Sequence, residues 1–228
     1  MNAPSASVAT RRAAYFDVDG TLTHTTIVTP LLWHLKHHLS TPSFLFWKCS
    51  LLLRGPYWLL LDRISRDASN RAIYSCYCGM NLAELEQRSE ACHRECIQPR
   101  LFPKGVERIR QLQKDDIDVV LVTGGLDIIL KPLAKELGAT LIAPSLCEVN
   151  GRCTGALSGP ALAGERKAEA IREHASKNEI DLSKSFAFGD AFGDLQMLEC
   201  VGQPVAVNAD SRLTRIAAQR GWARENWR

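Results

Sequence analysis

Short apolar runs alternate with amphipathic stretches along most of the chain after residue 100, and this alternation restricts the fold more than any other feature. The apolar runs predict buried strands, and the amphipathic stretches have the period of a helix. Strands are predicted over residues 13–19, 117–122, 139–143, 185–188 and 204–207. Helices are predicted over residues 104–114, 126–137, 165–176, 193–200 and 211–219. An Asn150-Gly151 pair between two further apolar runs predicts a β-hairpin. Strands that alternate with helices pair in parallel, so the expected fold class is α/β with a doubly wound, mostly parallel sheet.

Residues 26–100 interrupt the alternation, because they have helical periodicity and contain no good strand. We therefore expect an α/β core domain formed by residues 13–25 and 101–228, with an α-helical domain inserted over residues 26–100. Residues 1–12 are small and polar, and we expect them to form a flexible N-terminal tail.

The inserted segment is unusually apolar, especially over residues 44–61. A membrane-spanning helix needs about 20 mostly apolar residues, whereas Lys48 and Arg54 interrupt this stretch and Gly55-Pro56 is expected to break its helix. A buried helical core explains the apolar character. A surface that contacts a membrane, or a lipid-like leaving group, is the alternative that the sequence leaves open.

Polar side chains follow three of the predicted strands at the point where each strand ends. Asp17 and Asp19 end the first strand, Thr123 follows the second, and Asp190 follows a later one. Because ligands bind beyond the carboxyl ends of parallel strands, we expect these side chains to meet at one edge of the sheet. Neighbouring carboxylates repel one another and need a cation, and such an oxygen-rich cluster suits Mg²⁺.

Four motifs contain these residues and occur in a fixed order. They are FDVDGTLT at residues 16–23, VTGG at 122–125, the lysine of GERKAEAI at 164–171, and GDAFGDLQML at 189–198. With these motifs the chain resembles phosphatases of the haloacid dehalogenase superfamily, specifically the phosphoserine phosphatase-like hydrolases of subfamily IB. The resemblance covers nearly the whole chain, and the helical insert is its least distinctive part. It implies a Mg²⁺-dependent phosphoric monoester hydrolase with a core of this superfamily and an inserted helical cap.

The resemblance also implies roles for the two acids of the first motif. Asp17 corresponds to the nucleophile, whose carboxylate attacks phosphorus and forms an aspartyl-phosphate intermediate. Asp19 corresponds to the general acid that protonates the leaving oxygen and then acts as the base that activates water.

The remaining roles concern the metal and the phosphate. Asp17, the backbone carbonyl of Asp19, and Asp190 correspond to the metal ligands. Thr123 and the Gly124 N–H correspond to the phosphate cradle, and Lys167 offsets negative charge on the transferring oxygens. Asp194 corresponds to a supporting acid that holds Lys167 or a metal-bound water.

Two positions depart from the pattern of true phosphoserine phosphatases. Thr26 stands where those enzymes carry a glutamate that helps to read the amino group of the substrate. Gly193 stands where the fourth motif usually has asparagine. Phosphoserine hydrolysis is therefore an alternative to a small or lipid-derived phosphate ester as substrate. A non-catalytic binding or scaffold protein on the same fold is a further alternative.

The remaining expectations concern partners and location. The formal net charge is only +3, which does not argue for a nucleic-acid partner. The start of the chain lacks the apolar core of a signal peptide, so we expect a cytoplasmic protein with eight reduced cysteines. His34 and His38 have a spacing that can hold zinc, but a polar helix face explains them better. Peripheral membrane contact and the oligomeric state stay open.

Overall fold

A computed structural model describes residues 11–228, except for the side chains of Asp62, Arg63 and Arg66. Residues 1–10, which make up most of the expected tail, lie outside the described residues. At the start of the described part, Arg11 forms an ion pair of 2.8 Å with Asp118.

The centre of the fold is a six-stranded parallel sheet with the strand order β3-β2-β1-β6-β7-β8. Its strands are β1 (Ala13–Phe16), β2 (Asp118–Val122), β3 (Thr140–Ile142), β6 (Phe186–Gly189), β7 (Gln203–Val207) and β8 (Ala223–Glu225). A separate antiparallel hairpin pairs β4 (Leu146–Val149) with β5 (Arg152–Leu157). Its turn residues Asn150 and Gly151 both have positive φ angles, of 52° and 76°, as the predicted hairpin requires. The predicted α/β fold class is thus confirmed, and β8 is a strand that the sequence did not predict.

Nine α-helices are present in the described residues, besides short 3-10 and π-helical turns. Four lie within residues 26–100: α1 (Val28–His38), α2 (Thr41–Ile64), α3 (Arg66–Tyr74) and α4 (Leu82–Cys92). Five accompany the sheet: α5 (Pro103–Lys114), α6 (Asp127–Glu136), α7 (Glu165–Lys177), α8 (Leu195–Glu199) and α9 (Ser211–Arg220). The first four lie between β1 and α5, where the sequence predicts the inserted helical domain.

The expected break at Gly55-Pro56 is wrong, because α2 runs without interruption through both residues. Proline cannot donate the hydrogen bond that the carbonyl of Leu52 would accept, and inside a helix this usually costs stability. Leu52 is 80% exposed, so water can reach that turn of the helix and bind the carbonyl. None of the helices in the described residues is both long and apolar enough to cross a membrane.

Buried side chains cover both faces of the sheet, as a doubly wound fold requires. Along β1, Ala14 and Phe16 point into one core cluster, and Ala13 and Tyr15 point into the other. The ring of Phe16 stacks on that of Phe188 with centroids 4.3 Å apart, which fixes β1 beside β6. The carboxyl ends of these two central strands therefore lie side by side.

All eight cysteines lie within the described residues, and no two of them are joined there as a disulfide.

Candidate active site

The loop after β1 turns sharply, and this turn directs Asp17 inward. The N–H of Asp17 donates to the carbonyl of Phe188 in β6, and the N–H of Gly20 donates to the carbonyl of Thr23. Gly20 has a φ of +91°, and a Cβ atom there would overlap the carboxylate of Asp190. A glycine is therefore needed at this position, both for the turn and for the approach of Asp190.

Three carboxylates meet beyond the ends of β1 and β6. One oxygen each from Asp17, Asp190 and Asp194 lies within 4.8 Å of the others, with Asp17 and Asp194 buried and Asp190 half-buried. The Thr21 hydroxyl lies 3.1 Å from Oδ2 of Asp17 and 3.3 Å from Oδ1 of Asp190, so it bridges the two. This compact set of oxygen donors fits Mg²⁺, which prefers carboxylates and water and would relieve the repulsion among the acids.

Lys167, from the first turn of α7, places its ammonium group among these acids. Its Nζ atom donates to Oδ1 of Asp17 at 2.5 Å and to Oδ1 of Asp194 at 2.7 Å, and all three side chains are buried. Burial alone would lower the pKa of Lys167, but the charges of Asp17 and Asp194 outweigh it and raise that pKa above its usual range. Lys167 is therefore a permanent cation in this site.

The pKa of Asp17 is raised above its ordinary value by burial, and the charge of Asp194 raises it further, whereas Lys167 lowers it. A buried carboxylate needs compensating positive charge to stay ionised. Lys167 supplies part of that charge, and a bound divalent cation would supply more.

Asp19 stands apart from the three-carboxylate cluster. Its Oδ1 accepts a hydrogen bond of 2.6 Å from the hydroxyl of Thr25, and its half-buried side chain lines the adjoining cavity. The structure thus brings Asp17, Asp190 and Asp194 together through their side chains, whereas the Asp19 side chain lies outside this cluster, at the wall of the cavity.

The loop after β2 closes the site from another side. Thr123 is fully buried, and its Oγ1 accepts a hydrogen bond of 2.9 Å from the Gly125 N–H, which leaves its own hydroxyl hydrogen available. Helix α3 lies against this loop, and the Tyr74 hydroxyl at its end donates a hydrogen bond to the carbonyl of Gly124. A Cβ atom at Gly124 would lie only 3.1 Å from Nδ2 of Asn70.

A cavity of about 580 Å³ joins the acidic cluster to the inserted helices. At its polar end are Asp17, Asp19, Lys167, Asp190 and Asp194, together with Gly124. At its other end are apolar side chains of α2 and of the segment that precedes α7, together with Ser69, Asn70 and Ile73 of α3. Thr26 and Gly193, the two positions that depart from the phosphoserine phosphatase pattern, both line it.

Two polar contributors to the site were not assigned a role from the sequence. Thr21 lies in the first motif, but its bridge to Asp190 depends on a residue 169 positions away. Asn70 is buried and lines the cavity from α3. A polar residue in the middle of an amphipathic helix is a signal that many exposed helix positions share, so the sequence alone did not distinguish it.

Comparisons with known proteins show the family to which the chain belongs. A family described as haloacid dehalogenase-like hydrolase matches residues 14–199. A phosphoserine phosphatase of Mycobacterium tuberculosis is 30% identical over 223 residues, which cover 95% of this chain and 71% of that protein. A probable phosphatase of the same organism is 29% identical and covers 93% of this chain and 74% of its own length.

Solved structures share the fold. A Bordetella pertussis protein of unknown function superposes with a TM-score of 0.83 at 23% identity, over 96% of this chain and all of that one. A phospho-aspartyl intermediate analogue of a phosphoserine phosphatase superposes with a TM-score of 0.70 at 19% identity, over 96% of this chain and 94% of that one.

Proposed function

This chain belongs to the haloacid dehalogenase-like hydrolase family and is a phosphoric monoester hydrolase, and we propose that it acts through a phosphorylated Asp17 with Mg²⁺ as cofactor. The observation that carries the proposal is the position of Asp17. Its carboxylate is buried between Lys167 and two further acids at the polar end of a cavity large enough for a substrate.

In the first step, one carboxylate oxygen of Asp17 attacks the phosphorus atom of the bound ester. An Asp17 O–P bond forms while the ester O–P bond breaks, and Asp19 gives its proton to the departing alkoxide. The hydrogen bond from Thr25 fixes the Asp19 carboxyl group at the cavity wall, where it can reach the leaving oxygen.

In the second step, water attacks the phosphorylated Asp17. Asp19, now ionised, accepts a proton from this water, the new O–P bond forms, and the Asp17 O–P bond breaks to release inorganic phosphate. Asp17 and Asp19 are thereby both restored to their starting states.

The residues that would hold the metal are Asp17, Asp190 and the backbone carbonyl of Asp19, with Asp194 beside them. When bound, Mg²⁺ supplies positive charge that reduces repulsion between the Asp17 carboxylate and the phosphate dianion. Lys167 adds a second, fixed cation, and the Thr123 hydroxyl and Gly124 N–H donate to the phosphoryl oxygens.

We further propose that residues 26–100 act as a cap domain over the core formed by residues 13–25 and 101–228. This is supported by the side chains that α2 and α3 contribute to the cavity wall. A cap excludes water from the reacting phosphate and contacts the leaving group, so it would select the substrate.

The substrate is proposed to be a phosphate monoester of a small or lipid-derived alcohol. Phosphoserine is the second candidate, and the name of the M. tuberculosis relative favours it. Thr26, a neutral side chain at the cavity wall, weakens that candidate because it cannot pair with an ammonium group as a glutamate would.

The test is phosphate release from 4-nitrophenyl phosphate with Mg²⁺ and with excess EDTA. We expect turnover only with the metal, and incubation with substrate followed by acid quenching should leave one phosphoryl group on the peptide that contains Asp17. Asp17→Asn should lower kcat by at least about a thousandfold, which corresponds to about 4 kcal/mol. Equal rates with EDTA would contradict the metal proposal. Absence of turnover with a panel of phosphate esters would favour a non-catalytic binding protein.

A further inference from the structure

The apolar end of the cavity indicates what the leaving group contains. Its apolar walls are formed by Val28 from α1, Leu51 and Trp58 from α2, Ile73 from α3, and Leu162 from the segment before α7, and Ser69 and Asn70 of α3 line the same cavity. Trp58 and Ile73 are buried, whereas Val28, Leu51 and Leu162 are partly open to the cavity. Such a surface gains free energy by covering hydrocarbon and gains little by contacting a charged amino-acid head.

The charges around the cavity also favour an apolar leaving group over an amino acid. Among the side chains that the structure describes, Lys167 is the cation in the cavity wall, and its ammonium group is already held by Asp17 and Asp194. An amino-acid leaving group would bring a carboxylate to a wall whose polar side chains away from the acidic cluster, such as Ser69, Asn70 and Thr26, carry no positive charge. The burial of such an unpaired charge is strongly unfavourable.

Helix α2 continues this apolar wall onto the outer surface. Leu59 lines the cavity and is also 69% exposed, and Leu52 and Leu53 are 80% and 81% exposed. We call this set the outer face of α2, and it consists of Leu45, Phe46, Leu52, Leu53, Tyr57, Leu59, Leu60 and Ile64. An exposed apolar face of this extent marks an interaction site.

Two exposed cations lie on the same helix. With 3.6 residues per turn, Lys48 falls beside Leu59 at one margin of the outer face. Arg54 falls on the side that packs on the protein, where its guanidinium group lies over the ring of Trp47. An exposed apolar strip with a basic residue at its edge is typical of a helix that lies in the surface of an anionic membrane.

We propose that the substrate is a phosphate monoester of a long-chain amphiphile, whose apolar chain runs from the cavity along α2 to a lipid surface on which the outer face of α2 lies. This rests on the proposed phosphatase function and names its substrate class. The phosphate reaches Asp17 at the polar end, and Leu59 forms the passage from the cavity to the membrane side.

The first experiment measures kcat/KM for monoalkyl phosphates of increasing length, from ethyl to dodecyl, with 4-nitrophenyl phosphate and phosphoserine as references. We expect kcat/KM to rise about fourfold per added CH₂ until the cavity is filled. Hydrolysis of 4-nitrophenyl phosphate with no rise along the series would overturn this inference and leave the phosphatase function intact. Preference for phosphoserine would overturn it too. If no ester is hydrolysed, both proposals fail.

Gly55→Leu tests the passage. Gly55 lines the cavity, and a Cβ atom there would meet nothing within 4 Å, so a side chain can start from this position and narrow the cavity. We expect a loss of at least tenfold in kcat/KM for dodecyl phosphate and a much smaller loss for ethyl phosphate. Gly159→Leu, at an exposed glycine with equally open surroundings outside the cavity, is the matched control and should change neither value. Equal losses for both esters would contradict the proposed path.

Vesicle flotation tests the outer face. The protein should float with vesicles of phosphatidylcholine and phosphatidylglycerol, and the double variant Leu52→Ser/Leu53→Ser should remain at the bottom of the gradient. Val149→Ser, at a 61% exposed apolar residue on the β4–β5 hairpin, should float like the natural chain. Failure of the natural chain to float would overturn the proposal. A dimer in solution that the double variant converts to a monomer would do so as well, since a second copy would then cover this face.

Discussion

The Nζ atom of Lys167 lies 2.5 Å from Oδ1 of Asp17, and both side chains are buried. This ion pair joins α7 to the end of β1 across 150 residues of sequence. In such a buried pair, each charge is tolerated because the other is present, so removal of one partner leaves the other uncompensated. The same contact that supports the proposed nucleophile therefore also contributes to the stability of the fold.

Lys167→Met should impair both catalysis and the stability of the fold. We expect kcat for 4-nitrophenyl phosphate to fall at least about a hundredfold, because a fixed cation next to the transferring oxygens is lost. In EDTA, the free energy of unfolding should fall by about 3 kcal/mol, because three neighbouring carboxylates then lack a counter-charge. Arg166→Met, at the exposed neighbour on the same helix, is the control and should have little effect. Wild-type activity in Lys167→Met would remove this residue from the mechanism.

Loss of Lys167 should also shift the pH profile. Lys167 lowers the pKa of Asp17, against burial and Asp194, which both raise it. Without the lysine that pKa rises further, so the ionised nucleophile is available only at higher pH. We expect the acidic limb of kcat/KM in Lys167→Met to move to higher pH than in the natural protein, under saturating Mg²⁺. An unchanged acidic limb would mean that this limb reports the titration of a group other than Asp17.

Asp19→Asn should separate the two chemical steps. An amide can neither protonate the leaving oxygen nor activate water, and loss of general acid–base catalysis costs about 10²–10⁴ in rate. The loss should be larger for an alkyl phosphate than for 4-nitrophenyl phosphate, whose leaving group departs without a proton. Rapid quenching should show the phosphorylated enzyme accumulating with the aryl ester. Thr25→Val, which removes only the hydrogen bond to Asp19, should cause a smaller loss.

Gly20→Ala should weaken cation binding. The added Cβ would overlap the Asp190 carboxylate and displace it from the three-carboxylate cluster. Mg²⁺ titration of activity should then require at least tenfold more metal. Gly221→Ala is the matched control, because Gly221 also has a positive φ, of +66°, but its Cβ would meet nothing within 4 Å. A similar metal requirement in both variants would show that backbone strain, and not Asp190, is responsible.

The sequence could predict the parts of this site that follow from strand order. Asp17 and Asp190 each end a short apolar run, and parallel strands place such ends at one edge. It could not predict that Asn70 approaches Gly124, because that contact depends on how α3 packs against a loop more than 50 residues later. The continuity of α2 through Pro56 was missed for a related reason. The local rule for proline takes no account of water at an exposed turn.

The burial of His34 is a further feature that the sequence pattern did not predict. The spacing of His34 from His38 was explained by a polar helix face, and this is wrong for His34, which is only 1% exposed. The ring packs near Trp33 and Tyr77. In the described part of the chain, neither ring nitrogen has a hydrogen-bond partner. A helical pattern tells which residues share a face, but it does not tell how far neighbouring elements extend over that face.

The burial of His34 predicts how stability depends on pH. Burial, with smaller contributions from Arg88 and His37, lowers the pKa of His34 from 6.5 to about 4. The unfolded chain therefore binds this proton more readily than the folded protein does, and protonation favours unfolding. The cost is absent above pH 6.5, grows as the pH falls from 6.5 towards 4, and reaches about 3 kcal/mol below that range.

His34→Leu should remove this part of the pH dependence. Urea unfolding at pH 7, 5.5 and 4.5 should show the natural protein losing more stability than the variant at each acidic step, because every other titrating group is shared. At pH 7 the variant should be at least as stable as the natural protein, since a leucine has no ring nitrogens to bury without partners. His38→Leu, which changes an exposed histidine on the same helix, should retain the natural slope. Parallel stability curves for the natural protein and His34→Leu would show that His34 titrates alike in the folded and unfolded chains.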